Sequence, residues 1–191
     1  RRYGVSVELD HGTMVPLYYL DKADLHPSLV TMGFGLLPFE ELYSFGRALR
    51  SAIEDSGKKV AIIASGDLSH KLTLDAPYGY EPMGQVFDER LIELLKKMDV
   101  KGIMNLDKAL IEKAAECGLR SIIIMLGALH GLKVSPEILS YEGPFGVGYG
   151  VALFRINTES SLVRLARETV EEYVRNGRII SRPKTLEPEM I

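Results

Sequence analysis

One stretch constrains the fold more than any other. Val60-Ala-Ile-Ile-Ala64 runs straight into Ser65-Gly-Asp-Leu-Ser-His70. An unbroken apolar run rich in β-branched residues predicts a strand buried on both faces, as in the sheets of α/β proteins. The run stops at Ser65-Gly66 and at once presents Asp67, Ser69 and His70. Ligands of open α/β sheets sit just beyond the carboxyl ends of such strands. A second stretch has the same character: Val5-Ser-Val-Glu-Leu-Asp-His-Gly12 alternates like a strand and ends in Asp10-His11-Gly12. Two strand ends, each carrying a histidine, form the candidate site.

The remaining elements follow from pattern. Residues 3–9 predict a strand, residues 13–20 a short helix capped by Thr13, and residues 28–33 a further strand. Pro38 opens a helix with Leu42, Phe45, Leu49 and Ile53 at three- and four-residue spacing, stopped by Ser56-Gly57. Residues 71–84, with Pro77, Gly79, Pro82 and Gly84, predict a long irregular loop. Phe87, Leu91, Leu94, Leu95 and Met98 mark an amphipathic helix, and residues 107–117 another, ended by Gly118. The apolar run after Arg120 outlasts a strand and predicts a buried helix to about Gly131. Residues 133–141 and 146–156 predict two final strands. The glycine-rich link between them lacks the Lys-Ser/Thr of a phosphate loop and fits close backbone approach instead. The expected fold class is α/β, a mixed central sheet flanked by helices. Leu162, Ala166, Val170, Tyr173 and Val174 then line one face of a charged helix that reads as a C-terminal extension, giving a domain over 1–156 and a separate piece over 157–191.

Composition excludes several classes. With 191 residues and a net charge of −3, the chain has no electrostatic footprint for nucleic acid. No apolar run approaches the roughly 18 residues of a membrane span. Arg1-Arg2-Tyr3 leads almost directly into a strand with no apolar segment of a signal peptide, and the chain reads as cut from something longer. A single cysteine, Cys117, excludes an internal disulfide framework and suits a reducing, cytoplasmic setting; a packed or inert thiol is the expectation. An unpaired sheet edge would permit self-association into a homo-oligomer.

Context separates the four histidines. His11 and His70 suit a general acid/base or metal-ligating imidazole; each alone also suits a hydrogen-bonded loop histidine. Asp10 and Asp67 suit either orientation of those imidazoles or local capping. His26, in Asp24-Leu-His-Pro27, fits a turn residue, and His130 a helix end. Tyr141 and Glu142 fit structural roles.

Three segments, Asp10-His-Gly-Thr-Met-Val-Pro-Leu17, Leu36-Leu-Pro38 and Ser65-Gly-Asp-Leu-Ser-His70, resemble the class III extradiol ring-cleavage dioxygenases of the LigB type. Ser140-Tyr-Glu-Gly-Pro-Phe-Gly-Val-Gly-Tyr149 resembles the end of that domain in its Memo-like branch, and residues 162–173 resemble the opening helix of an AMMECR-type domain. The resemblance implies non-haem Fe(II), with zinc or another divalent metal as the alternative. It implies a catechol-like aromatic substrate cleaved with O2. On this resemblance His11 carries over as the acid/base residue and His70 as a metal ligand, with Asp10, Asp67 and Ser69 around them. The family's other two ligands are histidines of the N-terminal part of the domain, outside this sequence. The competing expectation is a Memo-like accessory protein that binds a metal or a partner, such as a radical-SAM protein, without cleaving rings.

Overall fold

The computed structural model describes residues 9–157. The chain divides into two compact units, Arg1–Arg155 and Ile156–Ile191. The expected strand at 3–9 and the expected helix at 162–174 fall outside the described residues, save Leu9.

Helix α1 (His11–Lys22) starts earlier than expected because Asp10, not Thr13, is its cap: an Asp10 carboxylate oxygen accepts from the Thr13 amide at 2.8 Å. Pro16 lies inside α1 and has no N–H to offer the Gly12 carbonyl four residues back. The Ser65 hydroxyl donates to that carbonyl instead, at 2.6 Å, and so ties α1 to the 65–70 loop.

Helix α2 (Phe39–Ser56) has Glu40 and Glu41 in its first turn, where the helix dipole favours acids, and ends at Gly57 in the left-handed conformation (φ 62°). Its buried side is centred on Leu42 and Gly46, while Phe45 stays 46% exposed. Helix α3 (Pro82–Lys96) begins with proline at N1, which shortens the expected loop, and buries Phe87, Leu91, Leu94 and Leu95. A short α4 (Val100–Met104), capped by Asp99, was not anticipated. Helix α5 (Lys108–Ala114) is shorter than expected because Ala115 turns left-handed (φ 53°) and ends it before Cys117. Helix α6 (Leu119–Ala128) is the buried apolar helix anticipated. Strands β1 (Val134–Glu142) and β2 (Tyr149–Ile156) also match expectation. The 143–148 link, with a 3-10 turn at Pro144–Gly146, is too short for a parallel crossover, so the two strands pair antiparallel.

Two expected strands are corrected. Residues 28–33 form no ladder and are exposed, Val30 at 84%. Residues 60–65 are not buried on both faces either: Val60 is 51% and Ile63 56% exposed. A strand exists only where a neighbour takes its N–H and C=O groups. Among the described residues β1 and β2 pair only with each other, so the observed sheet has two strands. The fold is mixed α/β, with six α-helices among the described residues.

The core is helical. Phe87, Leu91, Ile103, Leu119 and Ile123 are fully buried, and Leu42, Leu68 and Leu126 join them. Helices α2 and α6 cross at backbone contact. A Cβ on Gly46 would lie 2.1 Å from the Ile124 carbonyl oxygen, and one on Gly127 would lie 2.2 Å from that of Tyr43. No helix among the described residues is long and apolar enough to cross a membrane.

Candidate functional site

Two loops that are far apart in sequence meet beside α6. The first is 65–70; the second is the 115–118 turn after α5. Their backbones touch at two glycines: a Cβ on Gly66 would stand 2.5 Å from the Gly118 Cα. With no side chain between them, the Asp67 carbonyl accepts from the amides of Cys117 (3.2 Å) and Gly118 (2.9 Å). The Asp67 amide faces the Cys117 sulfur at 3.1 Å. The Ser121 hydroxyl at the start of α6 donates to the Ser65 carbonyl at 2.9 Å.

His70 is held on both sides. Its amide donates to the Ala114 carbonyl at 3.0 Å, and its Nδ1 bonds the Ala115 carbonyl. That bond assigns the proton to Nδ1 and leaves Nε2 facing the Asp67 carboxylate at 3.3 Å. The left-handed turn at Ala115 is what aims its carbonyl at the ring. The ring is only 15% exposed, and the Tyr78 ring lies 5.8 Å away, centroid to centroid.

Asp67, His70 and Cys117 are thereby brought together, each offering one ligand atom within 4.8 Å of the others. Bonds of about 2.0–2.3 Å to one ion place paired ligand atoms roughly 3–4.5 Å apart, so small side-chain motions would let the three share a cation. Carboxylate, imidazole and thiolate together suit a borderline divalent metal. The Cys117 thiol is pushed above its ordinary pKa, first by burial and then by the negative charge of Asp67 and Glu116. Burial likewise raises the Glu116 carboxyl, although its oxygen accepts from the Leu119 amide at 2.6 Å.

The other expected site residues stand as follows. Asp10 is engaged as the α1 cap, and hydrogen bonding from Thr13 lowers its pKa. His11 begins α1, on the exposed end that the Ser65–Gly12 bond anchors, and is not among the converging ligand atoms. Ser69 is fully buried. Its hydroxyl donates to the Ala114 carbonyl at 3.0 Å and accepts from the Lys71 amide at 3.1 Å, so it braces the loop from within. His26 bonds Asp24 at 3.1 Å on the surface, and His130 lies just past the end of α6 with its ring on the Tyr43 hydroxyl at 2.9 Å.

Two residues were missed. Cys117, for which the sequence suggests a packed or inert thiol, is exposed and stands within ligand reach of Asp67 and His70. Asp88 is the second: a fully buried carboxylate on the apolar face of α3, accepting from the Ser69 amide and the Tyr141 hydroxyl, each at 2.8 Å. Its sequence signal was an acid on the same helical face as Gly84, Phe87 and Leu91.

The loops of this mixed α/β chain thus gather a carboxylate, an imidazole and a thiol at one point. The chain belongs to the LigB family: it matches the family described as the catalytic LigB subunit of aromatic ring-opening dioxygenase over residues 3–152. It is 45% identical over 175 residues to a protein of Clostridium acetobutylicum, covering 91% of this chain and 37% of that one. It is 29% identical to a MEMO1 family protein of Methanosarcina barkeri, over 70% of this chain and 48% of that one. It is 27% identical to the 2-aminophenol 1,6-dioxygenase beta subunit of a Pseudomonas species, over 82% of this chain and 57% of that one. The chain thus spans between about a third and somewhat over half of the length of these relatives.

Proposed function

We propose that this chain provides one side of a divalent metal centre, and that the protein carrying it is a non-haem Fe(II) dioxygenase opening small catechol-like aromatic rings with O2. The observation that carries the reading is the convergence of Asp67, His70 and Cys117 in a chain of the LigB family. His70 serves as a ligand through Nε2, since Nδ1 is occupied by the Ala115 carbonyl, and this bond fixes the ring's orientation. Asp67 is the neighbouring carboxylate, and Ser69 anchors the segment that bears both. His11, outside the ligand group and exposed, is free to take a substrate hydroxyl proton and return it, with Asp10 beside it holding the helix end in place. Iron bound there would supply Lewis acidity and one-electron chemistry toward O2. In this reading residues 60–65 lie in the central mixed sheet of the complete domain. Residues 157–191 open an AMMECR-like domain, and the protein works in the cytoplasm.

A second reading rests on Cys117. Non-haem Fe(II) oxygenases use two histidines and a carboxylate, and a thiol stands outside that set. With a MEMO1 family relative at 29% identity, this favours a metal- or partner-binding accessory protein. In this reading the AMMECR-like tail points to a radical-SAM protein as the partner.

The test is anaerobic loading of the full-length protein with Fe(II), followed by O2 uptake on a panel of catechols. The expected result is uptake that His70→Ala abolishes together with bound iron. His11→Ala should keep iron and lose about 10²–10⁴ in rate. Iron binding through His70 with no O2 uptake on any catechol would favour the accessory reading. No iron binding, with no effect of His70→Ala, would sink the dioxygenase reading and leave the accessory one resting on a protein partner.

A further inference from the structure

A carboxylate buried on an apolar helix face is costly unless donors reach it. In α3, Asp88 sits between Phe87 and Leu91 in the core, and its two oxygens face different elements. Oδ1 accepts from the Ser69 amide and Oδ2 from the Tyr141 hydroxyl of β1. The surrounding backbone is fitted to it: a Cβ on Gly148 would stand 2.0 Å from Oδ2, and one on Gly84 would stand 2.3 Å from the Ser69 hydroxyl. Gly148 in turn donates to the Ser69 carbonyl at 2.7 Å and accepts from the Leu68 amide at 2.9 Å. Every polar group of Ser69 is therefore engaged: amide on Asp88, carbonyl on Gly148, hydroxyl on Ala114 and Lys71. His70 and Asp67, one and two residues away, project from this clamped point.

We propose that Asp88, steadied by Tyr141, is the positioning residue for the Asp67–His70 arm of the candidate metal centre: it grips the Ser69 amide from behind and fixes where the His70 imidazole and Asp67 carboxylate point. A helix packed on a loop by apolar contacts alone would tolerate sliding; a hydrogen bond to one amide sets a direction as well as a distance. The inference rests on the proposed metal centre for its consequence, not for its geometry.

The experiment compares full-length wild type, Asp88→Asn, Asp88→Ala and Leu91→Ala, the last a control destabilised in the same core. Metal-free protein is read first, by amide exchange at Ser69 and by the NMR resonance of the His70 Nδ1–H. Co(II) alone is then titrated, following its thiolate charge-transfer band. Asparagine keeps an acceptor for the Ser69 amide, so Asp88→Asn should retain both the His70 resonance and Co(II) affinity. Asp88→Ala should lose Ser69 protection and weaken Co(II) binding by about 10–100-fold, the usual cost of removing support behind a ligand. Leu91→Ala should unfold more readily yet keep both signatures. The proposal is overturned if Asp88→Ala and Leu91→Ala behave alike in both readouts. Wild type that takes up no Co(II) removes the metal reading, and the Ser69 and His70 signals then decide the positioning role alone. If Asp88→Ala does not fold, Tyr141→Phe replaces it. Freeing one carboxylate oxygen should shift the His70 resonance in the same direction, and no shift overturns the proposal.

Discussion

Replacing Asp88 with asparagine should change how the protein's stability responds to pH. In the fold, burial raises the Asp88 carboxyl from its ordinary 3.8 to about 6, against the lowering effect of hydrogen bonds from Ser69 and Tyr141. His70 nearby also lowers it and Glu116 raises it, both weakly. Between these two values the folded protein keeps a proton that the unfolded chain has lost. Stability from this group is therefore fully present below about pH 4 and declines as pH rises through about 6. A displacement of about two pH units corresponds to roughly 3 kcal/mol between the protonated and ionised forms. Asparagine has nearly the same shape, keeps an acceptor for the Ser69 amide and cannot ionise. The full-length variant should match wild type near pH 4 and exceed it by up to about 3 kcal/mol near pH 7.5, as the linkage relation requires. Urea unfolding of both proteins across that range measures the difference directly, and taking the difference cancels the titration of carboxylates common to both. A difference that stays flat with pH would show that the carboxylate is not desolvated in the fold. A variant less stable than wild type only at neutral pH would show that the ionised form is the better-bound one. The gain in stability is the counterpart of the positioning role: at neutral pH the fold keeps a buried charge that an apolar or amide side chain would spare it.

Other perturbations test other parts of the structure. Gly127→Ala puts a methyl group 2.2 Å from the Tyr43 carbonyl oxygen, which must push α2 and α6 apart; a loss of about 1–3 kcal/mol is expected in thermal or urea unfolding, and none would refute the close crossing. Phe145 is 85% exposed yet left-handed (φ 59°), so Phe145→Gly should raise stability by about 1 kcal/mol, read by the same unfolding assay. Cys117→Ser should abolish the thiolate-to-Co(II) band of the loaded full-length protein while leaving the fold intact by circular dichroism; a persistent band would place the metal away from Cys117.

What was legible in the sequence was local. Helix α2 announced its end through Gly57, whose left-handed turn an L side chain resists, and α3 and α6 announced themselves through their apolar positions. The final hairpin was read from two β-rich runs around a glycine-rich link, since both partners lay within a few residues of each other. The runs at 28–33 and 60–65 have the same β-rich composition, but composition cannot say where a ladder partner lies, and among the described residues neither has one. In the 65–70 loop the sequence also suggests that Asp67 and His70, three residues apart, pair, and they do. Its third member could not be seen. Cys117 lies 50 residues from Asp67, and what joins them is the absence of two side chains, at Gly66 and Gly118, which lets the backbones meet. A glycine in a loop has many readings, and only its counterpart in space selects one. Asp88 was nearer to view. An acid on the apolar face of a helix breaks the pattern that buries its neighbours, and such a break costs stability unless other elements supply the donors. Here they are the Ser69 amide and the Tyr141 hydroxyl, from a loop and a strand that α3 itself does not specify. The site is thus assembled from short local signals whose convergence depends on contacts between distant segments, and the groups that hold it in shape lie one layer behind those that face the solvent.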